Sequence, residues 1–135
     1  MSREIVKKYL GIPYKHQGRS LKGLDCWGLM MLIYKDLGLD VFDIHDDYDL
    51  RWARKGKNYF MENYWRGWDK TDNPLPYDIV LMKNKSGIIS HCGMVLLGDV
   101  FIHALLNTGV VISSLYDKRY SDSIEGYYRP RGLNR

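Results

Sequence analysis

Hydrophobic and polar positions change period along this chain, dividing it into a helical front and a strand-rich back. Ile5, Val6, Tyr9 and Leu10 fall on one helical face, which predicts a short helix capped by Ser2 and ended by Gly11 and Pro13. A loop with turns at Gly18 and Gly23 follows, from Tyr14 to Leu24. Asp25 then reads as the cap of a second helix, from Cys26 to about Leu37, with Leu29, Met30, Ile33 and Leu37 as its stripe and Gly38 as its stop. Leu29 to Ile33 is apolar on every side, so this helix is expected deep in the core.

Residues 40–76 mix aromatics and charges. Asp46 and Asp47 precede an expected helix through Leu50, Trp52, Tyr59, Phe60, Tyr64 and Trp65, followed by a polar turn ending at Pro74 and Pro76. The pattern leaves open whether this segment packs on the core or walls a cleft. From Ile79 the period becomes that of strands: Ile79–Met82, Ile88–Leu97, Val100–Ala104 and Val110–Ser113, separated by Gly98-Asp99 and Thr108-Gly109. Helices followed by a meander of antiparallel strands predict an α+β fold. No repeat, low-complexity segment or linker interrupts it, so residues 1–135 are expected to form a single domain.

Composition narrows this little. The apolar fraction of 45% and charged fraction of 27% are ordinary for a globular chain. The net charge of +4 comes from scattered residues with no Lys/Arg run and no nucleic-acid module, so no nucleic-acid partner is expected. The first residues lack the apolar stretch of a signal peptide and no run reaches membrane-spanning length, so the expectation is a product of the cytoplasm without a membrane span. Two cysteines in that setting read as free thiols.

Cys26 carries the first candidate chemistry. A thiol in the first turn of a helix meets the positive end of the macrodipole and unpaired backbone N–H groups, which favour thiolate. The competing reading is a small buried hydrophobe. Two histidines bear on the choice. If Leu97-Gly98-Asp99 is a three-residue hairpin loop, Leu96 pairs with Val100 and His103 lies opposite Gly93. His91 and His103 are then diagonal neighbours on one face, about 7–8 Å apart at the backbone. A two-residue loop would put them on opposite faces. Cys26, His91 and His103 then fill the roles of nucleophile, base and orienting partner. Alternation turns Cys92 away from His91, as core filling. Zinc is disfavoured: no Cys-x-x-Cys or His-x-x-x-His pair is present, so no metal and no cofactor are expected. His16 and His45 read as surface residues, with His16 also a candidate for the cleft lining; Asp25 reads as a cap and Asp78 as a turn residue.

Three stretches resemble the NlpC/P60 family, a papain-like group of cell-wall peptidases. They are Gly11-Ile-Pro-Tyr14 with Asp25-Cys26-Trp-Gly-Leu29, then Pro76-Tyr-Asp-Ile-Val80 with Ser90-His91-Cys-Gly-Met-Val95, then Phe101-Ile-His103-Ala with Gly109-Val-Val-Ile-Ser-Ser114. The resemblance implies the papain-like NlpC/P60 fold, a nucleophile at a helix start packed on an antiparallel sheet, with Cys26 as nucleophile, His91 as base and His103 as orienting residue. It implies that Tyr14 stands beside the nucleophile and helps hold substrate or oxyanion. It also implies cleavage of amide bonds in peptidoglycan stem peptides, often between D-glutamate and the diamino acid. Trp27 stands where family members commonly have Ser, and Asp-Cys-Trp-Gly-Leu resembles the subgroup of phage tail proteins. That subgroup implies tail proteins as partners and the virion tail as location. Two alternatives accompany this reading: a structural tail-tip protein that keeps the fold without needing activity, and a related amidase or acyltransferase.

Overall fold

The structure, a computed structural model, describes residues 2–41 and 67–133. The helix expected through Leu50–Trp65, and His45, lie outside the described residues.

Helix α1 (Ser2–Tyr9) buries Ile5 and Tyr9, four residues apart on one face. It closes as the Leu10 N–H donates to the Val6 carbonyl and Gly11 takes a φ of +87°. The Gly11 N–H then donates to the Val110 carbonyl and the Val110 N–H to the Ile12 carbonyl, tying the front loop to the far end of the sheet. Two short strands, β1 (Arg19–Ser20) and β2 (Gly23–Leu24), pair antiparallel and lead into α2 (Cys26–Asp36). Trp27, Leu29, Met30, Ile33 and Tyr34 of α2 are all buried, as an all-round apolar helix requires. Gly28 is demanded by space. A Cβ there would lie 2.1 Å from the Gly18 carbonyl oxygen, because the preceding loop runs against the first turn.

Behind α2 stands a six-stranded antiparallel sheet in the order β3-β8-β4-β5-β6-β7. Its strands are β3 (Trp68–Thr71), β4 (Ile79–Lys83), β5 (Ile89–Leu96), β6 (Val100–Leu105), β7 (Gly109–Ser114) and β8 (Ile124–Pro130), with α3 (Lys118–Ser121) between the last two. Ile79, Leu81, Cys92, Met94, Ile102 and Ala104 face the helices and join the main core. Val80, Met82, Val95 and Phe101 point the other way, into a second cluster with Leu115, flanked by Tyr120, Ile124 and Tyr127. Burial on both faces is why the central strands read as near-continuous apolar runs rather than as alternation.

The four strands expected from the period are present, and the fold is α+β. Among the described residues, four strands lie where the period predicts none, and two of these, β1 and β2, fall in the stretch expected as a loop. β3 occupies part of the stretch read as a polar turn, and β8 comes from a tail to which no element was assigned. β8 runs between β3 and β4, held at its end by Arg129, which donates to both oxygens of the buried Asp78 carboxylate at 2.8 and 3.2 Å. Asp78 is therefore the turn residue expected, accepting from the Leu75 N–H, and also half of an ion pair between distant segments.

The β5–β6 connection is the three-residue loop: Leu96 pairs with Val100, Val95 with Phe101 and Met94 with Ile102. Gly98 and Asp99 take φ of +91° and +60° within it. Gly93 then faces β6 at a point with no room for a side chain, since a Cβ would meet the Phe101 ring at 2.7 Å and the His103 Cβ at 3.2 Å. Gly93→Ala is expected to lower stability by about 1–3 kcal/mol through this overpacking. Urea unfolding of the variant measures it; unchanged stability would mean that β5 and β6 approach less closely here than described.

Candidate active site

The site begins with a carboxylate. Asp25 has an extended backbone, and its Oδ1 accepts the Gly28 N–H at 2.7 Å, the capping bond expected at the start of α2. The same oxygen accepts from Arg19 Nη1 at 2.8 Å, and Oδ2 accepts the Gln17 N–H at 3.0 Å. Asp25 is almost fully buried. It therefore pins the loop before the helix to the first turn and fixes where Cys26 begins.

Cys26 is partly exposed and Cys92 is buried, and both are free thiols. The Cys26 thiol is held below the ordinary thiol range first by hydrogen bonding with Cys92, then by the hydrogen bonding and positive charge of His91, against the opposing effect of burial. Cys92 moves the opposite way. Burial raises it, and the bond to Cys26 and the charge there raise it further. Cys92 thus lies in the core as expected, facing away from the His91 side of β5, yet it also reaches the Cys26 sulfur. That contact was not foreseen, because strand alternation says nothing about what packs on the helix-side face.

His91 Nε2 lies 2.8 Å from His103 Nδ1, with the rings edge-on and their centroids 5.0 Å apart. The diagonal placement follows from the register. His103 is fully buried, packed against the Phe101 ring at 4.3 Å and the Tyr120 ring at 5.1 Å. Burial, followed by the neighbouring His91, pushes its pKa down to about 3, so it stays neutral near pH 7. Its other nitrogen, Nε2, lies 2.8 Å from Ser113 Oγ on β7. Ser113 belonged to a recognised motif but had no role assigned. One more diagonal step across β6 and β7, where His103 pairs with Val111 and Phe101 with Ser113, would have found it.

Tyr14 completes the set. It sits half-buried at a bridge to Leu24, and its hydroxyl is raised above the ordinary phenol range by burial and then by the negative charge of Cys26. It therefore remains a donor at neutral pH beside the sulfur. The structure thus brings together Cys26, His91, His103 and Tyr14. His16 lies partly exposed in the loop before the site. Among the described residues, no group of three or more His, Cys, Asp or Glu side chains could hold a metal ion, and no helix is long and apolar enough to cross a membrane. A thiolate-prone sulfur, an imidazole that favours its thiolate and donors at a helix start are the parts that acyl transfer through a thioester needs.

Comparison with known proteins adds to the geometry. The sequence model of the NlpC/P60 family matches residues 11–129. The chain is 32% identical over 111 residues to the probable endopeptidase NlpC of Escherichia coli (strain K12), covering 82% of this chain and 64% of that protein. It is 29% identical over 98 residues to tail tip assembly protein K of Escherichia phage N15, covering 70% of this chain and 40% of that protein. It therefore spans less than two thirds of the length of either relative. A crystal structure of a lipoprotein-like NLP/P60 family protein from Staphylococcus aureus subsp. aureus Mu50 matches with a TM-score of 0.68 at 19% identity, over 96% of this chain and 40% of that one. At that identity the likeness concerns the fold.

The opposite shifts of the two thiols predict the order of their alkylation. Iodoacetamide is expected to modify Cys26 with a midpoint below the ~8.5 of an ordinary thiol, while Cys92 stays unmodified until the protein unfolds. Peptide mapping across a pH series reads this out; equal labelling of both, or a midpoint at the ordinary value, would contradict it.

Proposed function

The chain belongs to the NlpC/P60 family, and from that premise we propose that it is a cysteine peptidase that hydrolyses amide bonds in peptidoglycan stem peptides. The observations that carry this reading are the His91–His103 pair, 2.8 Å apart at Nε2 and Nδ1, and the Cys26 thiol at the start of α2, which His91 helps to hold below the ordinary thiol range. The similarity to an endopeptidase-named relative supports the substrate class.

The chemistry follows from the ring nitrogens. His91 Nε2 is engaged with His103, which leaves Nδ1 as the nitrogen for Cys26. His91 Nδ1 takes the thiol proton and the sulfur attacks the scissile carbonyl, forming the C–S bond. The oxyanion is met by first-turn backbone N–H groups of α2 and by the Tyr14 hydroxyl. The Gly28 N–H is excluded from that role, being held by Asp25. Collapse of the intermediate breaks the C–N bond, with the amine leaving on the proton from His91. Water, deprotonated by His91, then cleaves the thioester and regenerates the thiol. His103, neutral and buried, contributes orientation of His91 rather than charge.

The similarity to a tail tip assembly protein supports a phage tail as the setting, with tail proteins as partners, and the family match over residues 11–129 supports one catalytic domain. A structural tail-tip role without catalysis is the second reading, favoured by that same similarity.

The test is mass spectrometry of muropeptides after incubation of purified peptidoglycan with the protein. Cleaved stem peptides are expected from the wild type, and Cys26→Ala is expected to lower turnover by about three orders of magnitude or more. Cleavage undiminished in Cys26→Ala would overturn the nucleophile. No cleavage by folded wild-type protein would favour the structural reading.

A further inference from the structure

Ser113 lies at the end of a polar line that crosses three strands. His91 on β5, His103 on β6 and Ser113 on β7 are successive diagonal neighbours on one sheet face, joined by contacts of 2.8 and 2.8 Å. Among the described residues, the hydrogen bonds of the middle member are those to His91 and Ser113, and the Phe101 and Tyr120 rings pack against its ring. A buried imidazole must place its one proton on one nitrogen, and what each nitrogen faces decides which.

We propose that Ser113 is a positioning residue, whose hydroxyl oxygen holds the proton of His103 on Nε2 and thereby keeps Nδ1 of His103 bare toward His91. The inference rests on the reading of Cys26 and His91 as nucleophile and base. If His103 Nδ1 is bare, it accepts the Nε2–H of His91, and the remaining nitrogen of His91 is free to take the Cys26 proton. The same arrangement accepts both N–H groups when His91 is protonated beside a thiolate. Remove the acceptor at Ser113, and the Nε2–H of His103 faces apolar surface, an unsatisfied donor in the core. The proton is then better placed on Nδ1, where His91 Nε2 accepts it. His91 must in turn carry its own proton on Nδ1, which presents a donor to Cys26 where an acceptor is needed. The wrong tautomer would thus propagate through two rings to the sulfur.

Ser113→Thr and Ser113→Val isolate the hydroxyl, since Thr and Val share a shape, both suit a strand, and only Thr keeps the oxygen. Two readouts on the full chain separate positioning from mere structure. The ring nitrogen shifts of labelled His103 near pH 7 report which nitrogen bears the proton. The iodoacetamide rate of Cys26, on the acid side of its titration, reports thiolate content. Wild type and Ser113→Thr are expected to hold the proton on Nε2 and to react alike. Ser113→Val is expected to move it to Nδ1 and to react at least about tenfold more slowly, the scale of one unit in thiolate pKa. On muropeptides, kcat is expected to fall with little change in KM.

A Ser113→Val protein with the same His103 tautomer and the same Cys26 rate as Ser113→Thr would overturn the proposal. Ser113→Ala, which fits any space Ser fills, gives the same comparison if Val is not accommodated. If no variant cleaves peptidoglycan but the tautomer and alkylation contrast persists, the positioning role stands and the substrate reading falls.

Discussion

Three residues between β5 and β6 decide which side chains share a face of the sheet. With Leu97, Gly98 and Asp99 as the loop, Leu96 pairs with Val100, and every residue further along both strands is fixed in turn. The period of a strand is two, so a loop one residue shorter would reverse the face of one strand relative to the other. Met94 and Ile102 would no longer both meet α2, and Val95 and Phe101 would no longer share the second cluster. His91 and His103 are subject to the same rule. The site and the two cores are therefore held by one register, and the many apolar contacts that enforce it also hold two imidazoles in place. Polar groups placed this way need little affinity for one another to stay together.

The other half of the site arrives from the front of the chain, where Asp25 carries the constraint. One carboxylate caps α2, binds the Gln17 N–H and takes Arg19. These bonds are short in sequence, but they decide how far the glycine-bearing loop lies from the helix, and Gly28 leaves no slack. The sulfur of Cys26 is delivered to β5 only because α2 packs on β5 and β6 with Trp27, Leu29 and Met30 fully buried. A helix start and a hairpin, each specified locally, meet through the apolar core between them.

This explains what was legible in the sequence. Helices α1 and α2 and the four consecutive strands β4 to β7 follow from local period and punctuation, so Cys26 at a helix start and the pairing of His91 with His103 could be read directly. β8 was not, because Glu125, Gly126 and Arg129 break its apolar pattern and its burial is only partial on most residues. Its place beside β4 depends on pairing with residues far away in sequence, including the Arg129–Asp78 ion pair. β3 was hidden for the same reason, its middle residues Asp69 and Lys70 being exposed on an edge strand. Cys92 was legible as a core residue, but its contact with Cys26 requires knowing how the helix sits over the strand.

That contact gives the pair of thiols a division of labour. Two sulfurs packed in one cluster of a partly dry site do not both ionise readily, since the second charge would meet the first at close range. Which one ionises depends on what else each can reach. Cys26 has the first turn of α2, the His91 imidazole and partial access to solvent, whereas Cys92 has only the core around it. Burial therefore holds the proton on Cys92, and a protonated Cys92 favours the thiolate of Cys26. The imidazole pair also has one buried member held neutral, His103, with His91 Nε2 2.8 Å from it. In both pairs a buried member that stays neutral stands beside the group that faces the site, Cys26 in one and His91 in the other.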